Sequence, residues 1–377
     1  MSGSLATIVG GAAGLAMVVV AISFLWFCLK RHKNLNRNSE TGSSDPSALG
    51  PQQGARQFTI DELEQATQHF SENNLIGDGS FGLVYKGLLR DGTVVAIKRR
   101  RGEPRQEFSE EVHYLSEIRH RNLVNLLGYC QQDGMQMLVF EYIPNGNVTN
   151  HLYGSRQDSA KLLEFKQRLS IALGAAKGLF HLHSLTPSLI HKNFKTSNVL
   201  VDENFIAKVA DAGVYGILQK IEEAGPSRMT AGNVFKDPKV TVGTFTEMSD
   251  VYSFGVFLLE LVTGQDASQI DFSSSGESLL QWVESHVDSD DFVDHRLGSS
   301  FTAEGMKELI GLTSWCLSLN GHRHPKMETI MAELDRILEK EMAMTTVMGA
   351  STATAGHIQR GLPFAIKEKL ARACILH

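Results

Sequence analysis

The feature that most constrains the fold of this chain is a glycine-rich stretch, Gly-Asp-Gly-Ser-Phe-Gly from Gly77 to Gly82, which opens a pair of β-rich runs. Glycine has no Cβ, so the backbone here can approach phosphate oxygens closely and point its amide groups at an anion. The same spacing occurs in ordinary hairpins and in dinucleotide-binding units, where a helix follows the glycines. In this chain a strand-like run, Leu83 to Tyr85, follows instead, which argues against a dinucleotide-binding unit.

The remaining pattern divides the chain into a β-rich part and a longer helical part. Val94 to Ile97 is a second strand-like run, joined to the first across the turn-forming pair Asp91-Gly92, and Met137 to Tyr142 is another. Helices are predicted over residues 59–70, 107–118, 165–183, 252–263, 306–317 and 327–340. The first of these begins at a capping box formed by Thr59 and Glu62.

Charge and cysteine content exclude some classes of function. The chain has 377 residues and a net charge of −6, which gives no overall attraction to nucleic acid, so no nucleic-acid partner is expected. Its four cysteines have no metal-ligand spacing, and so few cysteines indicate a reducing compartment rather than a disulfide framework.

The N-terminal segment predicts a membrane anchor. Leu5 to Leu29 contains no charged residue and is long enough, as a helix, to cross a bilayer. Basic residues, beginning with Lys30 and Arg31, follow this run, so the positive-inside rule places the bulk of the chain in the cytoplasm. A cleaved signal peptide and a buried core helix are the alternatives.

Five segments are therefore expected along the chain. They are a short exterior N-terminus (1–4), a transmembrane helix (5–29), a juxtamembrane tether (30–57), a folded domain (58–340) and a disordered tail (341–377). The tether is assigned because it is rich in Ser, Gly, Asn, Gln and Pro.

A lysine at a suitable distance strengthens the phosphate-binding interpretation of the glycine-rich stretch. Lys98 ends the run Val-Ala-Ile-Lys and can pair with nucleotide phosphates and with a helix carboxylate. Glu111 is the expected partner in the following helix, with Glu110 as the second choice. An isolated lysine or glutamate is usually a solvated surface charge, but the glycine-rich stretch makes that interpretation weaker here.

Together these motifs resemble the protein kinases, specifically the plant receptor-like kinases related to Pelle. His120 to Val124, Leu127 to Cys130 and Ser249 to Gly255 look like segments of that family, and Leu138 to Tyr142 looks like its hinge, with Phe140 at the gatekeeper position. The resemblance covers about residues 58 to 339. It implies an α+β, bilobal protein-kinase fold, with a five-stranded N-lobe that has one main helix, a helical C-lobe, and plasma-membrane localisation.

The resemblance also implies a site for ATP and Mg²⁺. It assigns nucleotide binding to Gly77, Gly79, Gly82, Val84, Ala96, Lys98, Glu111, Phe140 and Glu141. It assigns metal binding to Asn198 and Asp211, and phosphate stabilisation to Lys195.

The catalytic loop departs from the family at its most important position. The family has His-Arg-Asp, whereas this chain has His191-Lys192-Asn193. The missing aspartate accepts the proton of the substrate hydroxyl, and an amide cannot do so near neutral pH. Because general-base help is typically worth about 10²–10⁴ in rate, turnover should be heavily impaired while nucleotide affinity is not directly changed.

Two further departures affect the segment after the catalytic loop. Ala212 replaces the phenylalanine that follows the metal-binding aspartate, which leaves a space beneath the main N-lobe helix unless that space collapses or is filled. Lys239 and His324 replace both partners of the expected glutamate–arginine ion pair. Because both partners are replaced, neither is left behind as an unpaired buried charge, which is consistent with a retained fold.

These departures favour a pseudokinase that scaffolds or regulates other receptor-like kinases or cytoplasmic signalling proteins. The alternative is a slow serine/threonine kinase, since positioning and metal electrostatics supply most of phosphoryl transfer. A decaying copy with no selected role is a third interpretation.

Overall fold

The computed structural model describes residues 55–100, 108–153, 163–221, 233–239, 245–270, 277–318 and 324–350. These residues all belong to one compact unit that spans residues 53–377. The transmembrane helix and most of the tether predicted above lie outside the described residues. Within the described ranges, no helix combines the length and the apolar character needed to cross a membrane.

The N-lobe is built on a six-stranded sheet with the order β1-β5-β6-β4-β3-β2. Its strands are β1 (Arg56–Gln57), β2 (Leu75–Asp78), β3 (Gly82–Leu88), β4 (Val94–Arg100), β5 (Leu126–Gln132) and β6 (Met135–Glu141). All neighbours are antiparallel except β1, which pairs parallel to β5. The predicted hairpin between β3 and β4 is confirmed, and Gly92 supplies its turn with a positive φ of 86°.

The expectation of five strands is wrong because β1 adds a sixth. Arg56 lies opposite Gly128, where a Cβ would overlap the Arg56 carbonyl oxygen, so only glycine lets the two backbones approach. Phe58 anchors the strand, since its side chain is buried and its N–H donates to the Tyr129 carbonyl at 2.8 Å. The folded domain therefore begins before residue 58.

The described helices complete the N-lobe and form the C-lobe. They are α1 (Ile60–Thr67), α2 (Ser109–Glu117), α3 (Val148–Tyr153), α4 (Phe165–His183), α5 (Val214–Ile221), α6 (Glu247–Thr263), α7 (Leu279–His286), α8 (Ala303–Leu317) and α9 (Met327–Ala350). The predicted capping box at the start of α1 is confirmed, with Glu62 N–H donating to Thr59 Oγ1 and Thr59 N–H donating to the Glu62 carboxylate. Every residue of α6 from Ser249 to Thr263 is buried, which makes this helix the centre of the C-lobe core.

The predicted C-terminal boundary at residue 340 is also displaced, because α9 continues to Ala350. Glu341, placed in the disordered tail by the sequence, is buried and accepts hydrogen bonds from the backbone and hydroxyl of Thr302. This contact ties the second half of α9 to the start of α8. The rest of the predicted tail lies outside the described residues.

A small second sheet carries the active-site loops. It pairs β7 (Val199–Val201) with β8 (Ala207–Val209). The segment after α2 joins β8, since Val209 N–H donates to the Asn122 carbonyl at 2.8 Å and Val124 N–H donates to the Val209 carbonyl at 2.9 Å. The backbone that leads to Asp211 is therefore fixed from both lobes.

Candidate functional site

The sheet register collects the residues assigned to nucleotide binding. Val84 lies opposite Lys98, and Ala96 lies opposite Phe140. Side chains two residues apart on a strand share a face, so Ala96 and Lys98 lie on one face of β4. The strands thus place the predicted base-binding and phosphate-binding side chains next to each other.

Lys98 forms an ion pair with Asp211, the residue assigned to metal binding. The Asp211 side chain is 5% exposed and the Lys98 side chain 13%, so the two charges meet in a poorly solvated place. Asp211 adopts a positive φ of 65°, and its carbonyl accepts from Val214 N–H at 3.1 Å, which starts α5 directly after this motif. Glu111, the partner predicted for Lys98, lies half-buried in the first turn of α2.

The catalytic loop is held by a buried carboxylate of α6. Asp250 accepts from the backbone N–H groups of His191 and Lys192 at 2.8 and 2.9 Å. The His191 ring lies 2.9 Å from the Ala210 carbonyl and 3.4 Å from Asn193 N–H. Asn193 therefore stands in a well-fixed loop, with a neutral amide at the position assigned to the proton acceptor.

Asn198 connects the catalytic loop to the segment that leads to Asp211, the residue assigned to metal binding. Its side-chain amide donates to the Asn193 carbonyl at 2.8 Å, and its own carbonyl accepts from Ala210 N–H at 2.8 Å. Asn193, Asn198 and Asp211 are thus brought together through short backbone links. Lys195 lies half-buried in the same loop, just before the 3₁₀ turn Thr196–Asn198.

The oxygen atoms of Asp211 and Asn198 suit a magnesium ion that is bound together with a nucleotide. Asp211 offers carboxylate oxygens and Asn198 offers an amide oxygen, the hard donors that Mg²⁺ prefers. Across the described ranges, no group of three or more histidine, cysteine, aspartate or glutamate side chains is arranged to hold a metal ion. Mg²⁺ is usually bound by one or two carboxylates together with the phosphates of its ligand.

Helix α5 begins directly after Ala212 and supplies apolar side chains near α2. Ala212 is half-buried and packs against the C-lobe core. Val214, Ile217 and Leu218 are buried in the N-lobe cluster that contains Leu115 of α2. Sequence reasoning did not identify this helix.

The tip of the glycine-rich loop is folded inward. Phe81 is only 2% exposed and packs against Phe108, with ring centroids 6.4 Å apart. Gly79 N–H donates to the Gly82 carbonyl at 2.9 Å, and a Cβ at Gly82 would overlap the Arg99 carbonyl oxygen. The burial of Phe81 was not predicted, although an aromatic residue at the tip of a glycine-rich loop was visible in the sequence.

The hinge residue Glu141 is fixed by groups that the sequence did not single out. Its Oε1 accepts from the backbone and side-chain amides of Asn125 at 2.9 and 3.1 Å, and from Lys208 Nζ at 2.9 Å. The neighbouring Phe140 is buried, and its ring centroid lies 5.5 Å from Lys98 Nζ. The residues assigned to the base and to the phosphates therefore lie close together.

The replaced ion pair near the end of the activation segment is no longer a pair of opposite charges. Lys239 is exposed, and its N–H donates to the buried Asp237 carboxylate at 2.9 Å. Burial lowers the pKa of His324; the Asp237 carboxylate opposes this shift, and the Lys239 ammonium reinforces it. The two exchanged positions thus hold an exposed lysine and a half-buried histidine in place of the family's glutamate and arginine.

Comparison with known proteins agrees with this geometry. Residues 70–334 match the family described as protein tyrosine and serine/threonine kinase. The chain is 37% identical over 290 residues to the proline-rich receptor-like protein kinase PERK1 of Arabidopsis thaliana, which covers 74% of this chain and 44% of PERK1. It is 39% identical over 291 residues to the putative proline-rich receptor-like protein kinase PERK6 of the same plant, covering 74% of this chain and 41% of PERK6. The chain thus spans less than half the length of these two relatives.

One solved structure is similar to this chain over most of the chain's length. The pseudokinase domain of BIR2, an immune regulator of the RLK/Pelle family, matches with a TM-score of 0.62 and 28% identity. The match covers 80% of this chain and 92% of that domain.

Proposed function

This chain belongs to the protein tyrosine and serine/threonine kinase family, with receptor-like kinases among its relatives, and we propose that it acts as a signalling pseudokinase. In this proposal it binds ATP with Mg²⁺, transfers phosphate poorly, and scaffolds or allosterically regulates active kinases at a membrane.

The observation that carries the proposal is the amide of Asn193 in an otherwise well-ordered catalytic loop. The loop keeps its anchor at Asp250 and its link to Asn198, so the change is chemical rather than a disruption of geometry. An amide is close in size to a carboxylate but cannot accept the substrate proton. We expect this change to lower the rate of phosphate transfer by about 10²–10⁴ and to leave the nucleotide-binding groups intact.

Retention of the nucleotide-binding groups supports a role for ATP. Lys98, Asn198 and Asp211 are the groups that would hold the phosphates and the magnesium ion. Bound Mg²⁺ would neutralise charge on the phosphate oxygens. A protein that made no use of nucleotide would gain nothing from keeping all three of these groups.

The proposed membrane anchor is supported by the sequence. The proposed class of partner is supported by similarity to known proteins. Leu5 to Leu29 is uncharged and is followed by basic residues, which supports a single span with the kinase-like domain in the cytoplasm. The similarity to receptor-like kinases and to the BIR2 pseudokinase domain supports partners among active receptor-like kinases at the plasma membrane.

The first test is a thermal shift of the full chain in detergent with ATP, with and without Mg²⁺. A rise in the unfolding temperature that requires Mg²⁺ is expected, and Lys98→Met should abolish it because the phosphates lose their cation. Absence of any shift in the wild-type chain overturns the nucleotide part of the proposal.

The second test addresses the partner. Pull-downs with active receptor-like kinases should show an association that changes when Lys98→Met removes nucleotide binding. Absence of association at every nucleotide concentration contradicts a scaffolding role and favours a chain without a selected function.

The alternative function is a slow serine/threonine kinase, which the intact Lys98, Asn198 and Asp211 favour. Asn193→Asp should then raise the rate of phosphate transfer to a protein substrate by about 10²–10⁴. If that variant binds ATP but stays inert, the defect extends beyond the missing base and the pseudokinase interpretation gains support.

A further inference from the structure

We propose that the stacked rings of His120 and His181 form a proton-sensitive joint, which holds the segment after α2 against helix α4 near neutral pH and loosens as the pH falls. The ring centroids lie 4.7 Å apart, and the ring planes are inclined by 14°. His120 lies between α2 and β5, and His181 lies in the last turn of α4. This inference goes beyond the proposed function and does not require nucleotide binding.

A hydrogen bond determines which nitrogen of His120 is protonated. The backbone N–H of Asn122 donates to His120 Nδ1 at 3.2 Å. Nδ1 must therefore present a lone pair, and the proton of the neutral ring lies on Nε2. A second proton can enter only at Nδ1, where it displaces the hydrogen bond from Asn122. Charging the His120 ring thus converts an acceptor into a donor that faces another donor.

The surroundings of His120 oppose a positive charge on its ring. Burial lowers the pKa of His120, and the positive charges of three neighbours lower it further, namely those of His181, Lys208 and Lys177. Lys177 precedes His181 by four residues, so both side chains lie on the same face of α4. Lys208 belongs to β8 and is itself paired with Glu141, whose carboxylate lies 2.9 Å from the ammonium nitrogen. These effects on the pKa all act in one direction, so the closed joint contains a neutral His120.

Further charged groups lie on the segment that carries His120, and they are exposed to solvent. Arg119 and Arg121 flank His120, and Glu117 is the last residue of α2. Water and salt screen exposed charges. We therefore expect these three groups to affect His120 less than the cations of α4 and β8 do.

Asn122 is the residue that the joint holds in place. Its carbonyl accepts from Val209 N–H at 2.8 Å, and its side-chain amide donates to the Ala207 carbonyl at 2.8 Å. Helix α4 comes so close that a Cβ at Gly178 would lie 2.7 Å from the Asn122 carbonyl oxygen. The segment after α2 is therefore in close contact with both β8 and α4, and a shift of Asn122 would disturb both contacts.

Protonation of His120 weakens this arrangement in two ways. The hydrogen bond from Asn122 N–H is lost, and the charged ring is repelled by the cations of α4 and β8. A histidine whose pKa is lowered in the closed joint binds a proton more readily when the joint is open. The stabilisation by the joint is therefore complete above pH about 6.5 and is lost as the pH falls below that value.

Hydrogen exchange in the full chain measures how often the joint opens. Val124 N–H donates to the Val209 carbonyl at 2.9 Å, so the amides of these two residues should exchange when the segment after α2 separates from β8. Protection factors, which correct for the intrinsic pH dependence of exchange, are compared at pH 7 and pH 5.5 without nucleotide. They should fall by up to about tenfold, because an open-state histidine with a pKa of about 6.5 is roughly 90% protonated at pH 5.5.

His120→Asn separates the joint from other effects of acid. Asparagine offers an oxygen acceptor near the position of Nδ1 but gains no proton in this pH range. The protection factors of Val124 and Val209 should then change little between pH 7 and pH 5.5. His113→Asn, the same substitution at an exposed position of α2, is the matched control and should show the same fall as the wild type. An equal fall in wild type and His120→Asn overturns the proposal, and so does constant protection in the wild type.

His181→Phe is a second, independent variant, because it keeps an aromatic ring opposite His120 but cannot become charged. The fall in protection should be smaller than in the wild type, since one of the charges that lower the pKa of His120 is removed. If neither variant folds, NMR titration of the His120 ring in the wild-type chain decides the question. A midpoint below about 6.5 supports the joint, and a midpoint at or above that value overturns it.

Discussion

The Glu141 carboxylate and the Lys208 ammonium lie 2.9 Å apart, which joins the hinge to β8. Two residues of chain separate Lys208 from Asp211, so the same ion pair lies between the predicted hinge and the predicted metal-binding residue. Asn125 donates to the same carboxylate oxygen and adds the segment after α2 to this junction.

Lys208→Met should destabilise the fold by about 1–2 kcal/mol, because it removes a charge-assisted hydrogen bond that is only partly solvated. The methionine keeps most of the packing of the lysine stem. Urea unfolding measures the change, and Lys177→Met, at an exposed position on α4, is the control that should have little effect. Equal stability of the two variants shows that the ion pair contributes nothing beyond what Asn125 already supplies.

Gly128→Ala should detach β1 from the sheet. The added Cβ would overlap the Arg56 carbonyl oxygen, and this backbone group cannot move aside as the end of a flexible side chain could. Hydrogen exchange at Phe58 N–H, which donates to the Tyr129 carbonyl at 2.8 Å, should become much faster. Gly311→Ala in α8, where an added Cβ meets no atom within 4 Å, should be neutral or stabilising by up to about 1 kcal/mol, and retained protection of Phe58 in Gly128→Ala would show that the sheet adapts.

Asp294→Asn should destabilise the C-lobe by about 3–5 kcal/mol, because it leaves a buried guanidinium without its counter-charge. Asp294 accepts from Arg168 Nη2 at 2.6 Å and from Arg296 Nε at 2.8 Å, and Arg168 is 1% exposed. Chemical denaturation followed by tryptophan fluorescence measures the loss. A cost below about 1 kcal/mol would mean that the carbonyls around Arg168 suffice to hold its charge.

The same carboxylate predicts a loss of stability in acid. Burial by itself would raise the pKa of Asp294, but hydrogen bonds from Arg296 and Arg168 hold that pKa below its usual value. A depressed folded-state pKa means that the stabilisation is complete above pH about 4 and is lost as the pH falls further. Denaturation curves at pH 7, 4 and 3 should show that the stability difference between wild type and Asp294→Asn becomes smaller at the lowest pH, since only the wild type has a carboxylate to protonate at this position.

Lys239→Glu combined with His324→Arg should restore the ion pair that the family has at these positions. Lys239→Glu alone places a second carboxylate near Asp237, and His324→Arg alone places a cation near Lys239, so each single change should be neutral or unfavourable. Together they should show a favourable coupling energy of about 1–3 kcal/mol in a double-mutant cycle. Lys239→Glu with Gln269→Arg is the non-contacting control, and additivity in both cycles would show that the two positions no longer communicate.

The parts of the fold that depend on local pattern were predictable from the sequence. Helix α4 has the predicted limits, Phe165 and His183, because the small and apolar residues of its inner face keep a helical period throughout. The capping box at Thr59 was also predictable, since both partners lie within four residues of each other. The hairpin between β3 and β4 was predictable as well, because the turn-forming pair Asp91-Gly92 lies between two β-rich runs.

The parts that depend on distant contacts were not predictable in the same way. The pairing of β1 depends on the absence of a side chain at Gly128, far along the chain, and the length of α9 depends on Glu341 meeting Thr302. Helix α5 buries Val214, Ile217 and Leu218 in a cluster with residues from distant parts of the chain. The burial of Phe81 likewise depends on a residue outside its own loop, since its ring packs against Phe108.

The buried carboxylate of Asp250 has a consequence for how a catalytic loop of this kind can change over time. It holds the loop through the backbone N–H groups of His191 and Lys192, which every amino acid except proline provides. The side chain at position 193 can therefore be exchanged without release of the loop. Shape and chemistry are thus inherited separately at this site, and the loss of one leaves the other in place.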